Sequence, residues 1–161
     1  MKFKFPLILI ALFAFSFSCK TTQDIPDDPG TLNIEIQMDK NPCFGSCPYY
    51  TLTIYEGGFA SFEGKRDVEK LGLYTKKLSN KEYKGIKHAF EGSNFFELND
   101  NYPSDLPDLP KTAISYHKNG KSKTVTGDDI SRPQIVLTLD SLLSQIAKSD
   151  GWTLKQTSQN D

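Results

Sequence analysis

The chain has 161 residues, of which 19 are Lys or Arg and 20 are Asp or Glu, so its net charge at pH 7 is −1. Hydrophobic residues make up 37% of the sequence, which suits one globular domain with a proper core. Binding to nucleic acid is not expected, because it would require a clustered basic face that this balanced composition does not offer.

The N-terminal segment has the pattern of a secretory signal peptide over residues 1–18, with a basic start and an apolar run from Phe5 to Phe17. This run is shorter than the ~20 residues that a helix needs to span a bilayer. Small residues precede Cys19, an arrangement that resembles the lipobox of bacterial lipoproteins, in which the signal is cut before a cysteine that then carries the lipid. The alternative is ordinary secretion with a free Cys19 thiol.

Cleavage before Cys19 would leave 161 − 18 = 143 residues, with 17 basic and 20 acidic residues and a net charge of −3. Acyl chains such as palmitate would then hold the protein at the membrane. Lys20 does not look like an inner-membrane retention signal, which favours the outer membrane of a cell envelope. We predict a lipidated flexible tether at residues 19–30, a single folded domain at 31–153 and a disordered tail at 154–161.

Alternation of apolar and polar residues predicts one strand at residues 31–38 and another at 49–55. The apolar residues that share the inner face of the first strand are Leu32, Ile34, Ile36 and Met38. A three-residue loop after the second strand keeps apolar residues on one face of the hairpin and pairs Leu52 with Phe62. A further strand is predicted at residues 71–78.

Two segments have helical periodicity. The first begins after Ser79 and ends at Gly92, and Ser79 and Glu82 have the spacing of a capping box. The second covers residues 132–148. Its predicted apolar stripe consists of Ile135, Leu139, Leu142 and Ile146.

Between these helices, residues 101–111 carry three prolines and predict an irregular segment. Residues 112–126 then form a hairpin pattern in which an Asn-Gly turn at 119–120 pairs Ile114 with Val125. The strands form hairpins, and the βαβ alternation of a parallel sheet is missing. The predicted fold class is therefore α+β, an antiparallel sheet built from hairpins with two helices packed on one face.

Cys43 and Cys47 lie in a proline-flanked loop between the first two strands and allow three interpretations. Two close cysteines in an exported protein normally pair, which predicts a disulfide. Redox chemistry would need a helix after the second cysteine to lower a thiolate pKa, whereas a strand pattern follows here. A metal site would need further ligands, and neither His88 nor His117 has ligand spacing with the cysteines. No metal ion and no cofactor is expected.

The stretch CFGSCPYYTLTIYEGGFASFEG, residues 43–64, resembles an uncharacterised family of small bacterial lipoprotein domains marked by Cys-Phe/Tyr-Gly-x-Cys-Pro-x-Tyr. The similarity extends from about Leu32 to Trp152. The chain departs from the family at residues 56–58, where Glu-Gly-Gly replaces the commoner Asp-Gly and alters the turn. The resemblance implies a location in the cell envelope, and because the family brings no known reaction it supplies no catalytic residues.

The sequence shows neither a nucleophile elbow nor a glycine-rich phosphate loop, so the chain is not predicted to be an enzyme. Aromatic residues around the cysteine loop and the first hairpin form a candidate binding surface: Phe44, Tyr49, Tyr55 and Phe59. In the alternative, the helices cover the face that bears the last three.

The predicted function is a lipid-anchored binding or assembly module whose partner is an envelope protein or a glycan. The alternative function is a thiol-redox or metal-handling protein that uses Cys43 and Cys47, with His117 as a helper.

Overall fold

The computed structural model describes residues 31–106 and 108–157. Its elements in chain order are β1 (Ile34–Lys40), β2 (Tyr49–Tyr55), β3 (Phe59–Arg66), β4 (Gly72–Lys77), α1 (Asn80–Gly92), β5 (Asn101–Tyr102), β6 (Thr112–Lys118), β7 (Lys121–Gly127), α2 (Gln134–Lys148) and β8 (Thr153–Gln156). Within the described ranges, eight strands form one sheet in the order β5-β7-β6-β1-β2-β3-β4-β8. Neighbouring strands are antiparallel except β5 and β7, which are parallel. The predicted α+β class is confirmed.

The hairpin registers follow the alternation of the sequence. Leu52 lies opposite Phe62 in the β2–β3 hairpin, and Ile114 lies opposite Val125 in the β6–β7 hairpin, as predicted. At the β6–β7 turn Asn119 and Gly120 have φ angles of 52° and 74°, the left-handed conformation that a type I′ turn requires. These local signals fix which side chains face the core.

Both helices pack on the same face of the sheet. Ile86 and Phe90 of α1 and Leu139 of α2 belong to one buried cluster together with inward-facing strand residues such as Met38 and Leu52. The start of α1 carries the predicted capping box. The backbone N–H of Glu82 donates to the Ser79 hydroxyl at 3.2 Å, and the N–H of Ser79 donates to the Glu82 carboxylate at 2.7 Å.

Helix α2 buries a face that differs from the predicted stripe. Its buried apolar residues are Val136, Leu139, Leu143, Ile146 and Ala147. Ile135 and Leu142, which were expected in the core, are only half-buried. The sequence contains two overlapping apolar stripes about 100° apart around the helix, so periodicity alone does not choose between them. The stripe that the fold uses also turns Asp140 inward.

Strand β1 departs from the predicted alternation at its start. Ile34, predicted to face inward, is 39% exposed, whereas Glu35 is only 5% exposed. The register with β2 shifts between Ile34 and Ile36, which marks a β-bulge, and a bulge re-aims the side chains around it. The buried Glu35 carboxylate accepts a hydrogen bond from the Tyr83 hydroxyl and lies 3.2 Å from Lys87 Nζ, so α1 supplies its partners.

The two outer strands form where the sequence predicted irregular chain. Strand β5 lies inside the segment 101–111, and β8 extends three residues into the predicted tail at 154–161 by pairing with β4. The sequences of β5 and β8 are short and show no alternation of apolar and polar residues. These two strands form by hydrogen bonding to β7 and β4 and not by burying an apolar face in the core. Trp152, the residue before β8, packs on Phe62 of β3, with 5.9 Å between the ring centroids.

The predicted signal peptide at 1–18, Cys19 and the tether at 19–30 lie outside the described residues, as does the end of the predicted tail at 158–161. None of the helices in the described part of the chain is long and apolar enough to cross a membrane.

Candidate functional site

A disulfide between Cys43 and Cys47 closes the loop that joins β1 to β2, with 5.7 Å between the two Cα atoms. This agrees with the predicted pairing. Closing so small a ring stabilises the folded state by about 2 kcal/mol through the loop-closure entropy of the unfolded chain. Within the ring, Phe44 is 96% exposed. We call residues 43–47 the stapled loop; it holds a large apolar side chain out in solvent on a constrained backbone.

The structure does not bring the four predicted aromatic residues into one exposed surface. Tyr55 is 8% exposed, and its hydroxyl lies 3.2 Å from that of Ser61. Tyr49 and Phe59 are half-buried, and the Nζ atoms of Lys65 and Lys77 lie 5.0 Å and 3.8 Å from the respective ring centroids.

The three strand aromatics are also spread along the hairpin. Tyr49 and Tyr55 occupy opposite ends of β2, about 20 Å apart at ~3.4 Å per residue. Of the predicted surface, only Phe44 of the stapled loop presents its ring freely to solvent.

A cleft of about 620 Å³ opens at the end of the sheet that carries the stapled loop. It lies between strand ends, the β3–β4 connection and the C-terminal half of α2, and its lining includes Lys40, Asn41, Tyr50, Val68, Lys70, Thr112, Ser144 and Lys148. Small-molecule sites have volumes of roughly 300–1,000 Å³, so the cleft has the size of a ligand site.

Asp140 is the centre of a buried charge network that includes three side chains of the cleft lining, Lys40, Tyr50 and Ser144, which we call the floor of the cleft. Its carboxylate lies 2.6 Å from Lys40 Nζ and 2.7 Å from Arg132 Nη2, and the Arg132 side chain is fully buried. One helical turn further on, the Ser144 hydroxyl donates to Asp140 at 3.0 Å. The Tyr50 hydroxyl in turn lies 3.4 Å from Ser144 Oγ. The network therefore ties the facing ends of β1 and β2 to α2.

The protonation states of the floor follow from these contacts. Burial raises the pKa of Tyr50, which keeps it a neutral phenol at pH 7; the Ser144 hydrogen bond opposes this rise and the Asp140 charge adds to it. Burial also opposes ionisation of Asp140, but hydrogen bonds and charges from Lys40 and Arg132 outweigh it and hold the pKa of this carboxyl below its ordinary value. An ionised, charge-compensated carboxylate therefore supports the hydroxyl groups of Ser144 and Tyr50, which line the cleft.

Asp128 fixes the loop that leads into α2. Its Oδ1 accepts hydrogen bonds from the backbone N–H groups of Ile130, at 3.0 Å, and Ser131, at 2.9 Å. The Ser104 hydroxyl donates to Oδ2, and this bond is the largest of the effects that lower the pKa of Asp128. Ser104 belongs to the proline-rich segment, so this segment is attached to the loop that carries Asp129 into the cleft lining.

Sequence reasoning did not single out Lys40, Arg132, Asp140 or Ser144. Lys40 and Asp140 are 100 residues apart, and only the fold brings them together. One signal was present: Asp140 and Ser144 have i, i+4 spacing within an apolar helical pattern. A carboxylate on a buried helical face needs a cationic partner, so this spacing could have predicted a buried ion pair without naming the cations.

Fold and site together define a small α+β domain in which a disulfide-closed loop stands beside a ligand-sized cleft. The sequence matches the family described as a domain of unknown function, DUF6438, over residues 34–147, and the chain belongs to that family. The matched region contains the stapled loop and the floor of the cleft. No curated protein matches the chain. Membership of an uncharacterised domain family was predicted, whereas lipoprotein character stays a prediction.

Proposed function

We propose that the mature chain is a lipid-anchored cell-envelope protein that acts as a binding or assembly module rather than as an enzyme. The observation that carries this proposal is the 96% exposure of Phe44 at a loop closed by a disulfide. Covering a large apolar side chain with a partner is favourable because it removes apolar surface from water, and a pre-organised backbone loses little entropy on binding.

The surroundings of Phe44 support a protein partner. A shallow concavity of about 390 Å³ adjoins it, lined by Pro42, Cys43, Phe44, Arg66, Asp108 and Leu109. An apolar side chain at the centre, with an arginine and an aspartate beside it, has the composition of an interface core with a polar rim. The partner we propose is an envelope protein that offers an apolar pocket to Phe44.

The thiol-redox or metal-handling alternative has less support from the geometry. The second cysteine is followed by strand β2 and not by a helix whose N-terminus could activate a thiolate. His117 lies five residues along β6 from Thr112, about 17 Å at ~3.4 Å per residue, and Thr112 pairs with Lys40 at the cysteine end of the sheet. Among the described residues, no three His, Cys, Asp or Glu side chains come together as a metal-ligand set.

Crosslinking tests the proposed binding role of Phe44. A photo-reactive phenylalanine analogue in place of Ser46, an exposed residue of the stapled loop, is expected to capture one envelope protein in intact cells. With the analogue kept at position 46, Phe44→Ala should lower the recovery of that protein about tenfold or more. The matched control is Leu154→Ala, which truncates another exposed apolar side chain, on edge strand β8. Capture that survives Phe44→Ala, or falls equally in both variants, would contradict the proposal. Loss of a thiol-oxidation or metal-transfer activity in Cys43→Ser extracts would favour the alternative.

Fractionation tests the proposed anchor. Cys19→Ser should move the protein from the membrane fraction to the aqueous fraction, because a protein without its acyl chains has no hydrophobic attachment to the bilayer. Cys43→Ser serves as the control, since it also removes a cysteine but should leave the protein in the membrane fraction. A Cys19→Ser protein that still sediments with membranes would show that lipid at this residue is not the anchor.

A further inference from the structure

The cleft at the end of the sheet has a balanced charge. Three lysines and three acidic residues line it: Lys40, Lys70, Lys148, Asp67, Glu69 and Asp129. Several of these charges are already compensated, since Asp140 neutralises Lys40 and Asp129 pairs with Arg132. Glu69 and Lys148 are exposed, where water and salt screen them. With three basic and three acidic side chains, the lining as a whole selects neither a polyanion nor a strongly cationic ligand.

The polar groups that face the cleft donate and accept hydrogen bonds in equal measure. Tyr50, Thr112 and Ser144 bring hydroxyl groups, each with one donor and two lone pairs, and Asn41 brings an amide with both functions. Lys40 keeps N–H donors beyond the one directed to Asp140. A ligand that complements this set must itself carry groups that both donate and accept.

The lining of the cleft also contains apolar side chains: Pro48, Phe62, Val68, Pro110 and Ala147. A sugar ring has matching properties on its two kinds of surface: its hydroxyl edge donates and accepts hydrogen bonds, while its C–H face packs on apolar and aromatic side chains. A zwitterionic peptide would instead be held by charges of both signs at the centre of the cleft, where the charge of Lys40 is already compensated by Asp140.

We propose that the cleft binds a neutral saccharide of one or two rings, which forms hydrogen bonds with Asn41, Tyr50 and Ser144 through its hydroxyl groups and packs its C–H face on Pro48 and Val68. The inference goes beyond the binding role proposed for Phe44, because it concerns a small ligand in a different concavity. Either proposal can fail while the other holds.

A ligand titration monitored by NMR tests this inference. The mature lipidated protein, ¹⁵N-labelled and held in a detergent without a sugar headgroup, is titrated with cellobiose, maltose and N,N′-diacetylchitobiose. At least one disaccharide is expected to shift the amide signals of Lys40, Asn41 and Ser144 with a millimolar or lower Kd. Alanyl-alanine, a zwitterion, and inorganic phosphate are the reference probes and should leave those signals unchanged.

Asn41→Ala should weaken saccharide binding about threefold to tenfold, the loss of one or two hydrogen bonds to a neutral ligand. Asn80→Ala is the matched control, because Asn80 is an exposed asparagine at the first position of α1, near the opposite end of the sheet, and its substitution should leave the Kd unchanged. Three results would overturn the inference: no shift of cleft signals by any disaccharide up to tens of millimolar, shifts produced by the dipeptide or phosphate instead, or an unchanged Kd in Asn41→Ala.

Discussion

Replacing Asp140 with asparagine is expected to lower the free energy of unfolding at pH 7 by about 3–5 kcal/mol. The substitution keeps the size of the side chain but removes a negative charge 2.6 Å from Lys40 Nζ and 2.7 Å from Arg132 Nη2. The fully buried Arg132 guanidinium would then lose its best-enclosed counter-charge. Denaturant unfolding followed by fluorescence of Trp152, the one tryptophan of the chain, measures the change.

Asp129→Asn is the matched control for this prediction. Asp129 also pairs with Arg132, but its side chain is 71% exposed, so its loss should cost less than about 1 kcal/mol. Equal losses in the two variants would show that burial of the Asp140 pair does not matter. A loss below about 1 kcal/mol in Asp140→Asn would show that Lys40 and Arg132 do not depend on this carboxylate.

The stability difference between wild type and Asp140→Asn should also depend on pH. The pKa of Asp140 is lower in the folded than in the unfolded chain. Its stabilisation is therefore fully present above the unfolded value of about 3.9 and declines as pH falls below that value toward the folded pKa. We expect the difference to stay constant between about pH 7 and pH 5 and to narrow below about pH 4. A difference that widens in acid would contradict the sign of the shift.

Gly64→Ala should destabilise the domain by about 3 kcal/mol or more, at the upper end of the range for overpacked sites. A Cβ at residue 64 would lie 1.8 Å from the carbonyl oxygen of Lys70 and 2.9 Å from its carbonyl carbon. The backbone of the β3–β4 connection would have to move, since no side-chain rotation relieves this contact. Because residues 67–70 line the cleft, the same movement should change its shape.

Gly85→Ala gives the opposite result and serves as the control. Gly85 lies inside α1, and a Cβ there would meet nothing within 4 Å. Alanine should raise the free energy of unfolding by about 1 kcal/mol through helix propensity. Urea titrations of both variants check the pair. Near-equal stabilities of Gly64→Ala and wild type would mean that the β3–β4 connection can yield without cost.

The parts of the fold that sequence reasoning predicted correctly depend on short-range chemistry. The Asn119–Gly120 turn and the Ser79 capping box each involve residues within a few positions of one another, and their backbone requirements are specific to a few residue types. The pairing of Cys43 with Cys47 was predictable for the same reason, since four positions of separation allow few other outcomes.

The features that were missed depend on contacts between distant parts of the chain. At the bulge beside Ile34, Glu35 is buried in contact with Tyr83 and Lys87 of α1. The sequence of β1 alone does not predict these partners. On α2, the apolar stripe that the fold buries also brings Asp140 to Lys40, 100 residues away, a contact that helical periodicity does not encode. Burial of Tyr55 follows from the packing of the neighbouring strands, which the alternation of β2 does not encode.

Strand β1 lies between β6 and β2, so it joins the β6–β7 hairpin to the β2–β3 hairpin in the sheet. The β2–β3 and β6–β7 hairpins close short turns, whereas the β1–β6 ladder joins Ile36 to Tyr116, 80 residues away. Loop-closure entropy grows with this separation, so we expect the two hairpins to form before the β1–β6 ladder joins them. The cleft spans their junction, with Lys40 on one side and Thr112 on the other. A ligand in this cleft would bind the protein only when the β1–β6 ladder is formed. It would therefore stabilise the folded state against separation of β1 from β6.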